Sequence, residues 1–285
     1  MYRGKSHSPL LATGYGSLFF IKALDFTLNL CYNHLNKFER DQNMSNTLIQ
    51  DTNNKKFGLT NNQLKIIACI SMLIDHLGVA IFPGVPLLRI IGRLAFPIFA
   101  YMIAEGCRYT KNRAKYLGIM AAMALAFQVV YFVFMNDLYQ GILVTFSLSI
   151  AIIFSLEAIS KSAIPTRKIL GMLGLTAALF VGMICPMIFK KQGFVIDYFE
   201  WGIFLPVMIY FAPNKWLKLG VTAVLLSLMS IYCDPLQWWS LISVALLALY
   251  NGERGKAKMK YFFYIFYPAH LVVIYIIMIL MMIFK

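Results

Sequence analysis

From Leu64 to Phe284 the chain is a succession of long apolar runs, with its basic residues gathered between them. A helix of about 20 residues, rising 1.5 Å per residue, covers a hydrocarbon core about 30 Å thick. In lipid only helices and closed barrels satisfy every backbone N–H and C=O, and continuous apolar runs lack the alternation that a barrel needs. The expected fold is therefore all-α, a polytopic transmembrane helix bundle. Composition agrees, since 60% of residues are hydrophobic and only 13% charged, with a mean hydropathy of +0.70. A soluble domain carries about 25% charged residues.

Nine segments stand out, at about 64–83, 86–106, 116–136, 141–159, 168–189, 197–212, 216–233, 236–250 and 261–284, the sixth and eighth being short. The loops between them set an orientation. Arg108, Lys111, Arg113 and Lys115 precede the third segment, and Lys161, Arg167 and Lys168 lie between the fourth and fifth. Lys215 and Lys218 mark the start of the seventh, and Arg254, Lys256, Lys258 and Lys260 lead into the ninth. The alternate loops are poor in base, except for Lys190 and Lys191. Basic loops stay cytoplasmic, which gives a multi-pass membrane protein with a cytoplasmic amino terminus and an outer carboxyl terminus. The net charge of +14 is explained by these loops, so no nucleic-acid partner is expected. The five cysteines show no CxxC spacing, and no metal site is expected.

Residues 1–63 form a separate amino-terminal extension. The stretch SLFFIKALDFTLNLCYNHL sets Lys22, Asp25, Asn29 and Asn33 on one helical stripe, as in an amphipathic helix lying on a membrane surface. Residues 36–63 are polar and read as a loose linker. Met44 opens an ordinary cytosolic amino terminus, which makes residues 1–43 a candidate upstream extension of the reading frame. The membrane domain spans residues 64–285.

Ionisable side chains inside the apolar runs carry the functional information. A charge near the middle of a membrane costs about 2.5–3.5 kcal/mol on insertion scales, and persists where it is paired or faces a wet cavity. In LKIIACISMLIDHLGVAIFP, Asp75 and His76 lie side by side. The Pro83-Gly84-Val85-Pro86 turn folds the first two segments into an antiparallel hairpin, which puts His76 and Arg93 at a similar depth, about 10 Å below the outer end. Asp75 or His76 is thus expected to meet Arg93, with Arg89 higher, toward the rim. Neighbouring helical residues point about 100° apart, so one of the Asp75-His76 couple faces the reacting centre and the other anchors a neighbouring helix. Lys65, Cys69, Met72 and His76 form one stripe. In YFFYIFYPAHLVVIY, His270 lies about 14 Å into the last segment, beside Pro268, with Tyr261, Tyr264 and Tyr267 as polar neighbours. Glu105 is expected to pair with Arg108 at a helix end, and Glu157 and Glu200 to lie at the membrane interfaces.

LKIIACISMLIDHLG, LRIIGRLAFPIFAYMIAEG with YTKNRAKYL, and YNGERGKAKMKYFFYIFYPAHL resemble the TraX family, named for the conjugation factor that acetylates the amino terminus of F-type pilin. The likeness covers about residues 60–285. It implies an integral-membrane acyltransferase that takes acetyl-CoA from the cytoplasm and acylates an acceptor at the outer face. Related acyltransferases carry a basic residue, ten intervening residues and a histidine in the first core span. Lys65 and His76 have that spacing, with Lys in place of the usual Arg or His.

On this resemblance the expected catalytic residues are His76, Asp75, Arg93 and His270. His76 is the candidate base, since an imidazole titrates near neutrality. Asp75 holds the local architecture or pairs with Arg93, Arg93 stabilises developing negative charge or the Asp75 carboxylate, and His270 is a second base or an orienting donor. Lys65, Arg108, Lys111 and Arg113 are the candidate cations for the CoA phosphates. The acceptor is a peptide amine, a glycan or a small molecule. Intramembrane Asp, His and Arg also build proton-coupled transporters, and polar groups that only hold helices together would suit a noncatalytic assembly factor.

Overall fold

The computed structural model describes residues 57–255 and 259–284; the amphipathic stripe of the extension lies outside these residues. The first helix, α1, covers Asn61–Ala80 and begins three residues earlier than the sequence pattern suggests. Thr60 explains the early start. Its hydroxyl accepts from the Gln63 N–H while the Gln63 side chain accepts from the Thr60 N–H, a reciprocal cap that satisfies two orphan donors. The turn after α1 leads into α2 (Pro86–Gly92), with proline at its first position, and α3 (Ala95–Tyr109) completes the same span. The break between α2 and α3 follows from Pro97, which has no N–H to return to the Arg93 carbonyl.

Helices α4 (Arg113–Met135) and α5 (Ile142–Lys161) form the next hairpin. Then α6 (Pro165–Leu179) passes through a π-helical turn, Phe180–Ile184, into the short α7 (Cys185–Ile188). Pro186 removes the N–H that would close a regular turn there, and the wider turn absorbs the defect. Helix α8 (Phe199–Phe211) is followed by α9 (Lys215–Tyr232), a 3₁₀ segment Pro235–Leu241, α10 (Ile242–Ala248) and α11 (Lys260–Ile283).

Seven helical stretches among the described residues are long and apolar enough to cross a membrane. All nine expected segments are helical, but Phe199–Phe211 and Pro235–Ala248 are shorter than the rest. At 13 residues, α8 reaches only about 20 Å. The protein is thus a multi-pass membrane bundle. Its interior is built on Leu64, Ile98, Ile150, Ile153, Leu205, Ile209 and Leu226, each fully buried. On the outer helices Leu125, Leu170 and Met282 stand about two-thirds exposed, as lipid-facing side chains do.

Two backbone contacts outside the helices shape the ends of the bundle. At one end, Gln140 donates to the Val195 carbonyl and Asp197 to the Gln140 carbonyl, fixing the chain just before α8. At the other, residues 57–62 lie along residues 249–254 as a short strap. Leu59 donates to Leu249, Asn251 to Leu59, Asn61 to Glu253 and Asn62 to Arg254. Gly58 permits this approach: its φ is +127°, and a Cβ there would lie 2.3 Å from the Leu249 carbonyl oxygen. The part of the expected linker from Phe57 to Gln63 is therefore structured, because its backbone pairs with the loop before the last span.

Candidate functional site

The strap joins the start of α1 to the approach to α11, and these two helices pack together. His76 and His270, 194 residues apart in sequence, meet across them with His270 Nε2 3.3 Å from His76 Nδ1 and ring centroids 5.0 Å apart. Their protonation follows from their other contacts. His76 Nδ1 is 2.9 Å from the Met72 carbonyl and His270 Nδ1 is 2.8 Å from the Phe266 carbonyl. A carbonyl only accepts, so both Nδ1 atoms carry hydrogen. Neutral His270 then has a lone pair on Nε2, toward which the His76 Nδ1–H also points. His76 Nε2 keeps its own lone pair and is the basic nitrogen of the couple. The Phe266 ring stacks on His270 at 10° between planes and fixes its orientation.

Below this pair lies a cavity of about 170 Å³. Lys65, Cys69 and Met72, the stripe expected from sequence, line it, as do Phe266 and Tyr267 from α11. The carbonyls that hold the two histidines belong to Met72 and Phe266, so the inner end of the cavity is one helical turn from the imidazoles. Its mouth is formed by Asn61, Asn62, Lys65 and Arg254, beside the strap. The Lys65 ammonium lies 5.4 Å from the centre of the Phe263 ring.

Asp75 points away from His76, as adjacent helical positions require. Its partner is Arg89 rather than Arg93: Arg89 Nη1 donates to Asp75 Oδ2 at 2.7 Å. The reason is the close approach of α1 to α2 at Gly92. A Cβ on Gly92 would lie 2.1 Å from Asp75 Oδ1, so the carboxylate lies flat over this residue and turns toward Arg89. Gly92→Ala is expected to cost about 1–3 kcal/mol through overpacking and to disturb the Asp75–Arg89 pair. Thermal unfolding of the detergent-solubilised protein checks it, and an unchanged midpoint would contradict the close contact.

Arg93 lies deeper, 8% exposed, with Nη2 3.9 Å from Asp234 Oδ2 and its Nε without a partner. Beside it, Tyr139 donates its hydroxyl to Asp197, and the Gln237 side chain donates to the Tyr198 hydroxyl. Tyr198 takes a left-handed backbone, φ 60°, and stacks on Phe96 with ring centroids 3.9 Å apart. This polar group joins Asp197, Tyr139, Tyr198 and Gln237 to Arg93; Asp197 and Arg93 stand out in the sequence as charges in apolar surroundings, whereas the two tyrosines and the glutamine do not interrupt an apolar run.

Of the four cations expected at a CoA site, Lys65 alone lines the cavity below the histidines. Arg108 donates to the Tyr210 carbonyl at 2.8 Å, Arg113 pairs with Glu157 at 2.7 Å, and Lys111 stands exposed in the turn before α4. Arg254 takes the place beside Lys65; it belongs to the basic run before the last span, which sequence reading treats as a topology signal. Glu105 does not pair with Arg108. It is buried against Lys218 of α9. Glu157 is 2% exposed and carries both Arg113 and Lys161. The side chains of Tyr261 and Tyr264 lie outside the described set, and Tyr267 packs edge-on to His270 at 5.8 Å.

A bundle of membrane-crossing helices with an ionisable cluster and a cavity in its interior defines an integral-membrane protein with a buried polar site. The chain belongs to the TraX family, whose model, described as TraX protein, matches residues 60–278. It is 24% identical over 236 residues to the probable fimbrial assembly protein FimC, serogroup H1, of Dichelobacter nodosus, covering 73% of this chain and 91% of that one. It is also 48% identical over 38 residues to the uncharacterized protein RP591 of Rickettsia prowazekii (strain Madrid E), covering 13% of this chain and 15% of that protein. No solved structure matches.

Proposed function

We propose that the protein is an integral-membrane acyltransferase of the bacterial cytoplasmic membrane, moving acetyl from acetyl-CoA to an amine or hydroxyl acceptor at the outer face. The observation that carries this reading is the meeting of His76 and His270 one helical turn above a cavity with a basic mouth. In this reading the chain crosses the membrane nine times, with a cytoplasmic amino terminus, and the end bearing Lys65 and Arg254 faces the cytoplasm.

Acetyl-CoA supplies a thioester that is already activated, so the protein needs a base, charge stabilisation and alignment. His76 Nε2 takes the acceptor proton. The resulting imidazolium points its Nδ1–H at the lone pair of His270, which stabilises the charge and holds the ring. Arg93, buried with an unpartnered Nε, donates toward the oxyanion that develops on the acetyl carbonyl. The imidazolium then returns its proton to the leaving thiolate. Asp75 and Arg89 hold α1 against α2 and keep the base in position.

Lys65 and Arg254 receive the CoA phosphates at the mouth. Lys65→Ala or Arg254→Ala is expected to raise KM for acetyl-CoA about tenfold, by loss of a charge-assisted contact, with kcat nearly unchanged. Initial rates over a range of acetyl-CoA concentrations measure it; a fall in kcat at constant KM would oppose this assignment.

The decisive experiment incubates the purified protein with labelled acetyl-CoA and membrane extract and identifies the labelled product. Absence of any labelled acceptor under conditions that preserve the fold would overturn the enzymatic reading. A second reading, a noncatalytic assembly factor, draws support from the name of the Dichelobacter relative. It differs in one outcome: His76→Ala should then leave assembly intact, whereas an acyltransferase loses transfer.

A further inference from the structure

A second cavity, of about 380 Å³, opens at the same end of the bundle, on the other side of the strap. Its walls come from the end of α3, the start of α9 and the loop after α10. It holds three cations, Arg108, Lys215 and Lys218, against one carboxylate, Glu105. The carboxylate is already committed, because Glu105 and Lys218 form a buried ion pair at the floor. Arg108 and Lys215 are held differently. Arg108 Nη2 donates to the Tyr210 carbonyl at 2.8 Å, and Lys215 Nζ donates to the Tyr250 carbonyl at 2.8 Å. Each is thus fixed by a neutral backbone acceptor that spends one donor and cancels none of the charge. Guanidinium has five N–H donors and ammonium three, so most of their hydrogen-bonding capacity faces the opening.

The ligand that fits is an anion with several acceptor oxygens. The first turn of α9 adds the positive end of a helix to the two cations. The surroundings favour one source. Trp216 and Tyr109, next in sequence to Lys215 and Arg108, are 77% and 68% exposed, and amphipathic aromatics of this kind collect at the level of lipid headgroups. Apolar Leu217 is also exposed on the same turn of α9. We propose that this cavity binds the phosphate headgroup of an anionic membrane lipid, gripped by Arg108 and Lys215 over the Glu105–Lys218 floor. The proposal is independent of the acyltransferase reading, since neither the imidazole couple nor the first cavity takes part.

The test uses the full chain purified in a non-ionic detergent, supplied with phosphatidylglycerol or phosphatidylcholine, and counts retained lipid by native mass spectrometry. The natural protein should retain phosphatidylglycerol in preference to phosphatidylcholine. Arg108→Gln with Lys215→Gln should lower that retention about tenfold or more, as loss of two charge-assisted contacts implies. Arg108→Lys with Lys215→Arg keeps the charge and should restore most of it, which separates lipid binding from a folding defect. Equal retention of both lipids, or full retention by the Gln variant, would overturn the proposal. So would competition in which inorganic phosphate or CoA, at millimolar concentration, empties the site of lipid, since the ligand would then be a soluble phosphate.

Discussion

On the proposed mechanism, His76→Ala is expected to lower acetyl transfer from labelled acetyl-CoA about 10²–10⁴-fold, the usual contribution of a positioned general base. The protein keeps its fold, because His76 is only half-buried and its backbone hydrogen bonds belong to α1. His270→Ala has the smaller effect, since it removes the acceptor that steadies the imidazolium and leaves the base in place. The double variant resembles His76→Ala alone, as expected when two groups act as one unit. The measurement is the single-turnover rate of labelled product formation, with monodisperse elution in detergent as the folding control. A double variant whose loss equals the product of the two single losses would separate the histidines and break the proposed couple.

Lys218→Ala produces the largest loss of stability, about 3–5 kcal/mol, because it strands the Glu105 carboxylate in a site where both partners are less than a tenth exposed. Replacing the pair together, with Glu105→Leu and Lys218→Met, is far milder: substituting a whole buried ion pair by apolar groups of similar volume is often neutral or stabilising. Chemical unfolding in mixed micelles, following tryptophan fluorescence, compares the three proteins. If Lys218→Ala unfolds at the same denaturant concentration as the natural protein, the Glu105–Lys218 pair is solvated rather than buried.

The helices were legible because lipid imposes a simple rule on the backbone, and long apolar runs have no other use at this density. Counting residues from Pro83 and from the start of the last segment gives each histidine its place along its own helix, and the structure adds that the two meet across α1 and α11. Side-chain partners were less accessible. Arg89 and Arg93 lie one turn apart, on α2 and just after its end, and nothing in the order of residues distinguishes them as partners for Asp75; the choice depends on how closely Gly92 lets α1 approach. Likewise Glu105 has Arg108 three positions away, yet takes Lys218 from a helix more than a hundred residues later. Pairing across the bundle is set by helix packing, which periodicity does not encode. Arg254 was hidden for another reason, since a basic loop serves topology and ligand binding with the same residues.

The strap of residues 57–62 along 249–254 bears on how the molecule is made. One side of the site is synthesised near the beginning of the chain and the other near its end. Residues 249–254 precede the final span, so both halves of the strap are present before α11 is made, whereas α1 carries its imidazole without a mate until then. A nascent chain interrupted before Lys260 is therefore expected to insert most of its helices and to lack the imidazole couple, which only the carboxyl-terminal helix completes.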